Sequence, residues 1–165
     1  MESDEVSTEL DRVRSLTDQI GLEYVDLDPA ASFGQGIGIA FAHDKFTVLS
    51  IGSATPSILY VTSGIVRNME NQDRLGPLEA CNLTNTQGNG FTCIFHDAEN
   101  GWDSILQMQL PSQVFIDIPR FTANCVQIIA DLAVEERAAH LAAVGGRPYM
   151  WNEEDAQRLL WKSLA

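Results

Sequence analysis

The segment Ile37–Val66 reads IGIAFAHDKFTVLSIGSATPSILYVTSGIV and decides the fold. It contains three apolar runs rich in β-branched residues, Ile37–Ala42, Phe46–Ile51 and Ile58–Val66, separated by short polar or proline-containing connections. Runs of this length between turn signals are typical of strands, and connections this short join antiparallel neighbours. The segment therefore predicts a three-stranded antiparallel meander.

Helical patterns lie on both sides of this meander. The first predicted helix has Ser7 as its N-cap and stops at Gly21. The stretch Leu22–Gly36, which contains Pro29 and Ser32, is predicted to be a loop. A second helix is predicted to begin at Gly76-Pro77 and to break at Gly88-Asn89-Gly90, since proline suits a first helical turn.

Two further strands and a long helical stretch complete the pattern. The strands Phe91–His96 and Ser104–Leu110 are separated by Asn100-Gly101, a hairpin turn signal. Helical periodicity follows from Ser112 to Val144, with a predicted break at Pro119. One apolar stripe of this stretch is predicted to face the core; it consists of Phe121, Cys125, Ile128, Ile129 and Leu132.

Together these patterns predict an α+β fold. Its antiparallel five-stranded sheet is packed by helices in the order α-βββ-α-ββ-α, with an additional C-terminal helix. A length of 165 residues suits one domain with a proper core. We expect an α+β domain over residues 1–146 and an amphipathic helical tail over residues 147–165.

The charge balance excludes several classes of partner. The net charge is -13, and Lys45 is the only cation between Arg14 and Arg67. Such a field repels phosphate backbones and anionic membranes, so neither nucleic acid nor membrane is an expected partner. A secretory signal begins with basic residues and continues with an apolar run. The first ten residues, MESDEVSTEL, are instead acidic and polar. A cytoplasmic location is therefore predicted.

No catalytic, cofactor or metal site is predicted. The glycines of Gly34-Gln35-Gly36-Ile37-Gly38 precede a strand instead of opening a helix, which favours strand entry over phosphate binding. Cys81, Cys93 and Cys125 form no CxxC pair and are interpreted as small core hydrophobes, with reactive or metal-binding thiols as the alternative. His43-Asp44 and His96-Asp97 could meet as metal ligands or as an acid–base set, but exposed turn positions are the preferred interpretation.

The tail carries the candidate partner-binding residues. Large apolar groups gather on its predicted helix, and aromatic anchors often dominate interface energetics. The alternative is that the helix docks on its own domain. The candidates are Tyr149, Trp151, Leu159, Leu160, Trp161 and Leu164.

The segment Leu78–Asn85 (LEACNLTN) and the order of elements around it resemble the YbjN family, which belongs with the type III secretion chaperone-like folds. The shared features are the asparagines Asn82 and Asn85, the aromatic Phe91, the turn at Asn100-Gly101 and the closing helix with Phe121. Read from the residues alone, Asn85 could end its helix in a left-handed conformation. The resemblance covers Ser7 to Leu141 and implies a helix–sheet–helix sandwich that often dimerises, with chaperone-like or regulatory roles.

The leading hypothesis is a non-enzymatic protein-binding module, chaperone-like or regulatory, with a protein client or regulatory partner. A homodimer through the sheet or the central helix is expected. The alternative is a small-molecule or metal-binding sensory domain that uses the concavity of the sheet with His43 or His96. An enzyme would require histidine and carboxylate side chains to meet in a deep pocket.

Overall fold

The computed structural model describes residues 2–27, 33–68, 74–88, 90–98 and 101–165. The elements in chain order are α1 (Glu2–Gln19), β1 (Tyr24–Leu27), β2 (Gly34–Ala42), β3 (Lys45–Gly52), β4 (Thr55–Asn68), α2 (Leu75–Asn85), β5 (Thr92–Ala98), β6 (Gly101–Pro111), α3 (Ser112–Asp117), α4 (Pro119–Val144), β7 (Arg147–Pro148) and α5 (Glu153–Leu164). The predicted α+β class is confirmed.

All strands join one antiparallel sheet with the order β1-β2-β3-β4-β6-β5, while β7 pairs with β4. The predicted meander corresponds to β2, β3 and β4, and the second predicted pair forms the β5–β6 hairpin. The hairpin is observed through the pairing of Ala98 with Gly101, although Asn100 lies outside the described residues. The 14-residue strand β4 is central because it pairs with β3, β6 and β7.

The predicted count of five strands is wrong, because the sheet has seven. The four-residue strand β1 lies at the edge of the sheet, within the stretch predicted to be a loop. Charged residues such as Asp26 are usual on edge strands and hide the strand pattern. The other missed strand, β7, has only two residues. The loop signals Pro29 and Ser32 and the predicted helix breaker Asn89 lie outside the described residues.

The first helix begins earlier than predicted. Ser7 lies inside α1, which starts at Glu2, so its prediction as an N-cap is wrong. Acidic side chains near a helix N-terminus interact favourably with the macrodipole, and Asp4 and Glu5 favour the earlier start in this way. The predicted stop is confirmed, since Gly21 follows the helix with a φ of 74°.

Helices cover both faces of the sheet. One face packs against α1, α3 and α4 in a core that includes Leu10, Leu49 and Val126. The other face packs against α5 and the segment before it. This second core consists of Leu27, Phe46, Val48, Ile105, Tyr149, Ala156, Leu159 and Leu160. Side chains therefore pack on both faces of the sheet.

Close approach of tail side chains explains two glycines in the strands. A Cβ atom on Gly64 would lie 2.3 Å from ring atoms of Tyr149, and one on Gly38 would lie 2.6 Å from the ring of Trp151. Gly38 lies within β2 and does not precede it, so the strand-entry interpretation of this glycine run is wrong. The absence of a side chain allows the aromatic rings to pack directly on the sheet.

No helix in the described part of the chain is long and apolar enough to cross a bilayer.

Candidate functional site

An exposed apolar surface lies on the helices that cover the first face of the sheet. Of the eight exposed large hydrophobic side chains in the described part of the chain, seven lie on α2, α3 or α4 or at the α3–α4 junction. We call this set the helical apolar surface, and it consists of Leu75, Leu78, Leu83, Val114, Ile118, Phe121 and Ile128. Since α4 contacts both α2 and α3, the three helices form one packed group.

The stripe of α4 predicted to face the core is partly on the outside. Phe121 is 53% exposed and Ile128 is 46% exposed, so for these two residues the core prediction is wrong. Cys125 and Ile129 of the predicted stripe are buried as expected, and the neighbouring residues Val126 and Ala133 contact the core beside Ile129. Because α4 is apolar on two stripes, its sequence pattern did not show which one the sheet covers.

The helical apolar surface is also nearly free of charge. No charged residue occurs between Arg120 and Asp131 in α4, and Glu79 is the only charged residue of α2. In a chain with a net charge of -13, this part of α4 is a ten-residue stretch without charge. Exposed apolar groups combined with depletion of charge are typical of the centre of a protein–protein interface.

The tail residues predicted to bind a partner pack on their own chain. Tyr149, Leu159 and Leu160 are buried in the second core, with at most 2% of their surface exposed. Trp151, Trp161 and Leu164 are half-buried. The alternative that the helix docks on its own domain is therefore the arrangement observed. The three buried side chains cannot contact a partner while α5 is docked, and partner binding by the half-buried three stays a prediction.

A buried charged group holds α5 to the sheet. Asp103 on β6 is fully buried and accepts hydrogen bonds at 2.7 Å from both Nε and Nη2 of Arg158. The hydroxyl of Tyr149 also donates to this carboxylate. Burial and the charge of Asp103 raise the pKa of Tyr149 well above its ordinary value, so the phenol stays protonated.

A second carboxylate anchors the start of α5. Asp155 accepts hydrogen bonds from Arg67 at 2.6 Å, from Arg147 at 2.7 Å and from the backbone N–H of Met150 at 2.8 Å. Its own backbone N–H donates to Oδ1 of Asn152, the N-cap residue of α5. Burial alone would raise the pKa of Asp155, but these hydrogen bonds outweigh it and lower the pKa.

We expect the docking of α5 to weaken in acid because of Asp155. Its pKa is lower in the folded than in the unfolded chain, so it stabilises the fold above the unfolded pKa of about 4 and this stability is lost as pH falls through the folded value. The free energy of unfolding of the native chain, measured with urea, should therefore decrease as the pH falls below about 4. Asp155→Asn should be less stable near pH 7 and should have a flatter acid profile. Parallel acid profiles of the two proteins would contradict this assignment.

The two histidines considered for the sensory alternative are not brought together with other metal-ligating groups among the described residues. His43 is exposed in the turn between β2 and β3. His96 has its Nδ1 atom 3.1 Å from Nζ of Lys162, and burial and this neighbouring cation lower the pKa of His96. A lysine cation at this distance opposes metal binding at the same ring nitrogen.

The structure instead brings close together three potential metal ligands that are separated in the sequence. Cys81 on α2, Cys93 on β5 and His140 on α4 are buried, and their ligand atoms all lie within 4.8 Å of one another. The two Sγ atoms are 3.0 Å apart. Burial of both cysteines confirms the prediction that they are core residues. No spacing motif could reveal the cluster because its members come from three separate elements.

Asn85 fixes the backbone of this cluster. Its side chain donates to the carbonyl oxygen of Cys93 at 3.0 Å and accepts from the N–H of Cys93 at 2.6 Å. No non-glycine residue in the described part of the chain has a positive φ, so the predicted left-handed conformation of Asn85 is wrong. The side chain instead pairs with β5 as a neighbouring strand would.

A cavity of about 680 Å³ lies beside the N-terminal half of α1. Its lining residues include the carboxylates of Asp4, Glu5 and Glu9 together with Pro56 and Ser112. The lining contains no histidine, so the acid–base set required by the enzyme hypothesis does not meet there.

Comparison with known proteins identifies the class of fold. No family model and no curated protein matches the chain. The chain has a YbjN-like fold, as the resemblance at Leu78–Asn85 predicted.

One similar solved structure is the crystal structure of YbjN from E. coli, which is described as a proposed transcription regulator. The two chains are 12% identical, and the match has a TM-score of 0.55. It covers 84% of this chain and 95% of the other.

Proposed function

We propose that the chain is a non-enzymatic regulatory module that binds protein, and that it forms a homodimer through the helical apolar surface. The observation that carries this proposal is the coincidence of exposed hydrophobic side chains with the charge-free parts of α2 and α4. Phe121 and Ile128 are spaced by seven residues and so lie on one side of α4. They provide the large apolar contacts that interfaces favour.

A second copy of the chain is the occupant that the charge distribution supports. Two copies repel each other over most of their surface, because each has a net charge of -13. The helical apolar surface is where two copies can meet without opposing like charges. A two-fold axis would pair this surface with itself, as in most homodimers.

A regulatory role through protein contacts is supported by the fold and the charge. The similar E. coli structure is described as a proposed transcription regulator. The acidic balance of this chain disfavours direct DNA binding, since phosphate contacts require Lys and Arg. Regulation would therefore act through a bound protein.

The oligomeric state of charged variants tests this proposal. Light scattering at micromolar concentration should show a dimer for the native chain and a monomer for Phe121→Lys and Ile128→Lys, because each variant buries an unpaired charge in the interface. Val25→Lys is the matched control, since Val25 is 49% exposed but lies on β1. It should remain dimeric.

A native chain that is monomeric at these concentrations would overturn the homodimer. So would dimers of undiminished affinity for both α4 variants, since that result places the interface elsewhere. Circular dichroism of each variant checks that the fold is retained.

A further inference from the structure

We propose that Cys81, Cys93 and His140 form a binding site for Zn²⁺ at the junction of α2, β5 and α4. Thiolate and imidazole groups are the ligands that Zn²⁺ prefers in proteins. The cluster is the one group of three such ligands that the described residues bring together. It lies on the opposite side of the sheet from α5, within the first core.

The distances between ligand atoms require only a small adjustment. In a tetrahedral site with Zn–S bonds of about 2.3 Å, two sulfur atoms are about 3.8 Å apart. The Sγ atoms of Cys81 and Cys93 are 3.0 Å apart, and the His140 ring lies within 4.8 Å of both. Binding of Zn²⁺ therefore requires the sulfurs to separate by about 0.8 Å and the ring nitrogen to come closer to them, which side-chain rotations can supply.

The surroundings of His140 fit a metal ligand. Its Nδ1 atom is 2.9 Å from Oγ of Ser104, and its Nε2 atom faces Oγ1 of Thr84 at 3.0 Å. Metal-bound histidines commonly donate their second ring N–H to an oxygen, which fixes the tautomer and the ring orientation. In the metal-bound form one ring nitrogen would donate its N–H to Ser104 or Thr84, and the other would bind Zn²⁺.

The backbone and charge around the cluster are also suitable. The two hydrogen bonds of Asn85 hold Cys93 in position. Glu136 accepts a hydrogen bond from Thr84 at 2.8 Å, which places a carboxylate beside the cluster. Binding of Zn²⁺ by the two thiols releases two protons to solvent and forms a neutral dithiolate centre. Three protein ligands leave one position of a tetrahedral site for water.

Formation of a Cys81–Cys93 disulfide is the competing chemistry for two thiols this close. A disulfide makes no use of an imidazole directed at the same pair, whereas a metal site requires a third ligand of this kind. The presence of His140 therefore favours metal binding. Bound Zn²⁺ would connect α2 and β5 to α4 and so fix the relative positions of the two helices that carry most of the helical apolar surface.

Titration of the reduced, metal-free full chain tests the site. Competition with a chromophoric chelator should show one Zn²⁺ bound per chain, and Co²⁺ should produce sulfur-to-cobalt charge-transfer absorption. Cys81→Ser, Cys93→Ser and His140→Gln should weaken Zn²⁺ binding by more than about tenfold, because each removes a ligand. Ser104→Ala should keep the stoichiometry and weaken affinity by about 10- to 100-fold.

Cys125→Ser is the matched control, because Cys125 is also buried but lies outside the cluster. It should bind Zn²⁺ like the native chain. Absence of stoichiometric Zn²⁺ binding by the native chain overturns the proposal even if a ligand variant does not fold. Binding that persists in Cys93→Ser overturns it as well, as does ready formation of a Cys81–Cys93 disulfide in a chain that does not bind Zn²⁺.

Discussion

Asp103→Ala is expected to lower the free energy of unfolding by about 3–5 kcal/mol, the range for breaking a buried ion pair from one side. The guanidinium of Arg158 is only 14% exposed and would lose both of its hydrogen bonds to the carboxylate. The hydroxyl of Tyr149, inside the second core, would lose its acceptor. An unpaired buried cation and an unpaired buried donor are both costly.

Asp26→Ala is the matched control for this substitution. Asp26 also pairs with an arginine, Arg14 at 2.7 Å, but its side chain is 63% exposed. Exposed ion pairs contribute about 0–1 kcal/mol, so the control should change stability little. Urea unfolding followed by circular dichroism measures both effects. Equal losses for the two variants would show that the Asp103 group does not hold α5 to the sheet.

Gly64→Ala should destabilise the chain by about 3 kcal/mol, near the upper end of the range for overpacking a core. The new Cβ atom would lie 2.3 Å from two ring atoms of Tyr149, far inside van der Waals contact. The ring cannot move away freely, because Tyr149 is fully buried and its hydroxyl is held by Asp103. Strand β4 must shift or Tyr149 must leave its position.

Gly52→Ala provides the comparison on the same face of the sheet. A Cβ atom there would meet its nearest neighbours, in Leu164 and Thr55, at 3.4 Å. This is an ordinary contact distance, so the substitution should change the urea midpoint only slightly. If Gly64→Ala were as stable as Gly52→Ala, the close packing of Tyr149 on β4 would be contradicted.

The sequence predicts the sheet well where strands are long and apolar. The segment Ile37–Val66 alternates between turn signals and β-branched runs, and β2, β3 and β4 follow it closely. Prediction from the sequence fails where a strand is short and polar. Tertiary pairing makes a strand of Tyr24–Leu27 although Asp26 interrupts its apolar pattern, and only its neighbour β2 supplies the reason.

The candidate sites were less predictable than the fold. The apolar stripe of α4 is visible in the sequence, but periodicity cannot tell which of two adjacent stripes the sheet covers. The cluster of Cys81, Cys93 and His140 depends on how α2, β5 and α4 pack, and no local pattern encodes that arrangement. Asn85 was correctly singled out as a structural residue, yet its partner on β5 is set by tertiary contacts.

The carboxylate of Asp103 has a consequence for the cooperativity of unfolding. Detaching α5 alone would break both hydrogen bonds from Arg158 to this carboxylate and would expose the apolar side chains of the second core to water. Partly detached states are therefore of high free energy, and fraying of α5 as a separate unit is suppressed. The backbone amides of α5 would then exchange with solvent only in openings that also disrupt the sheet, so helix and sheet behave as a single foldon.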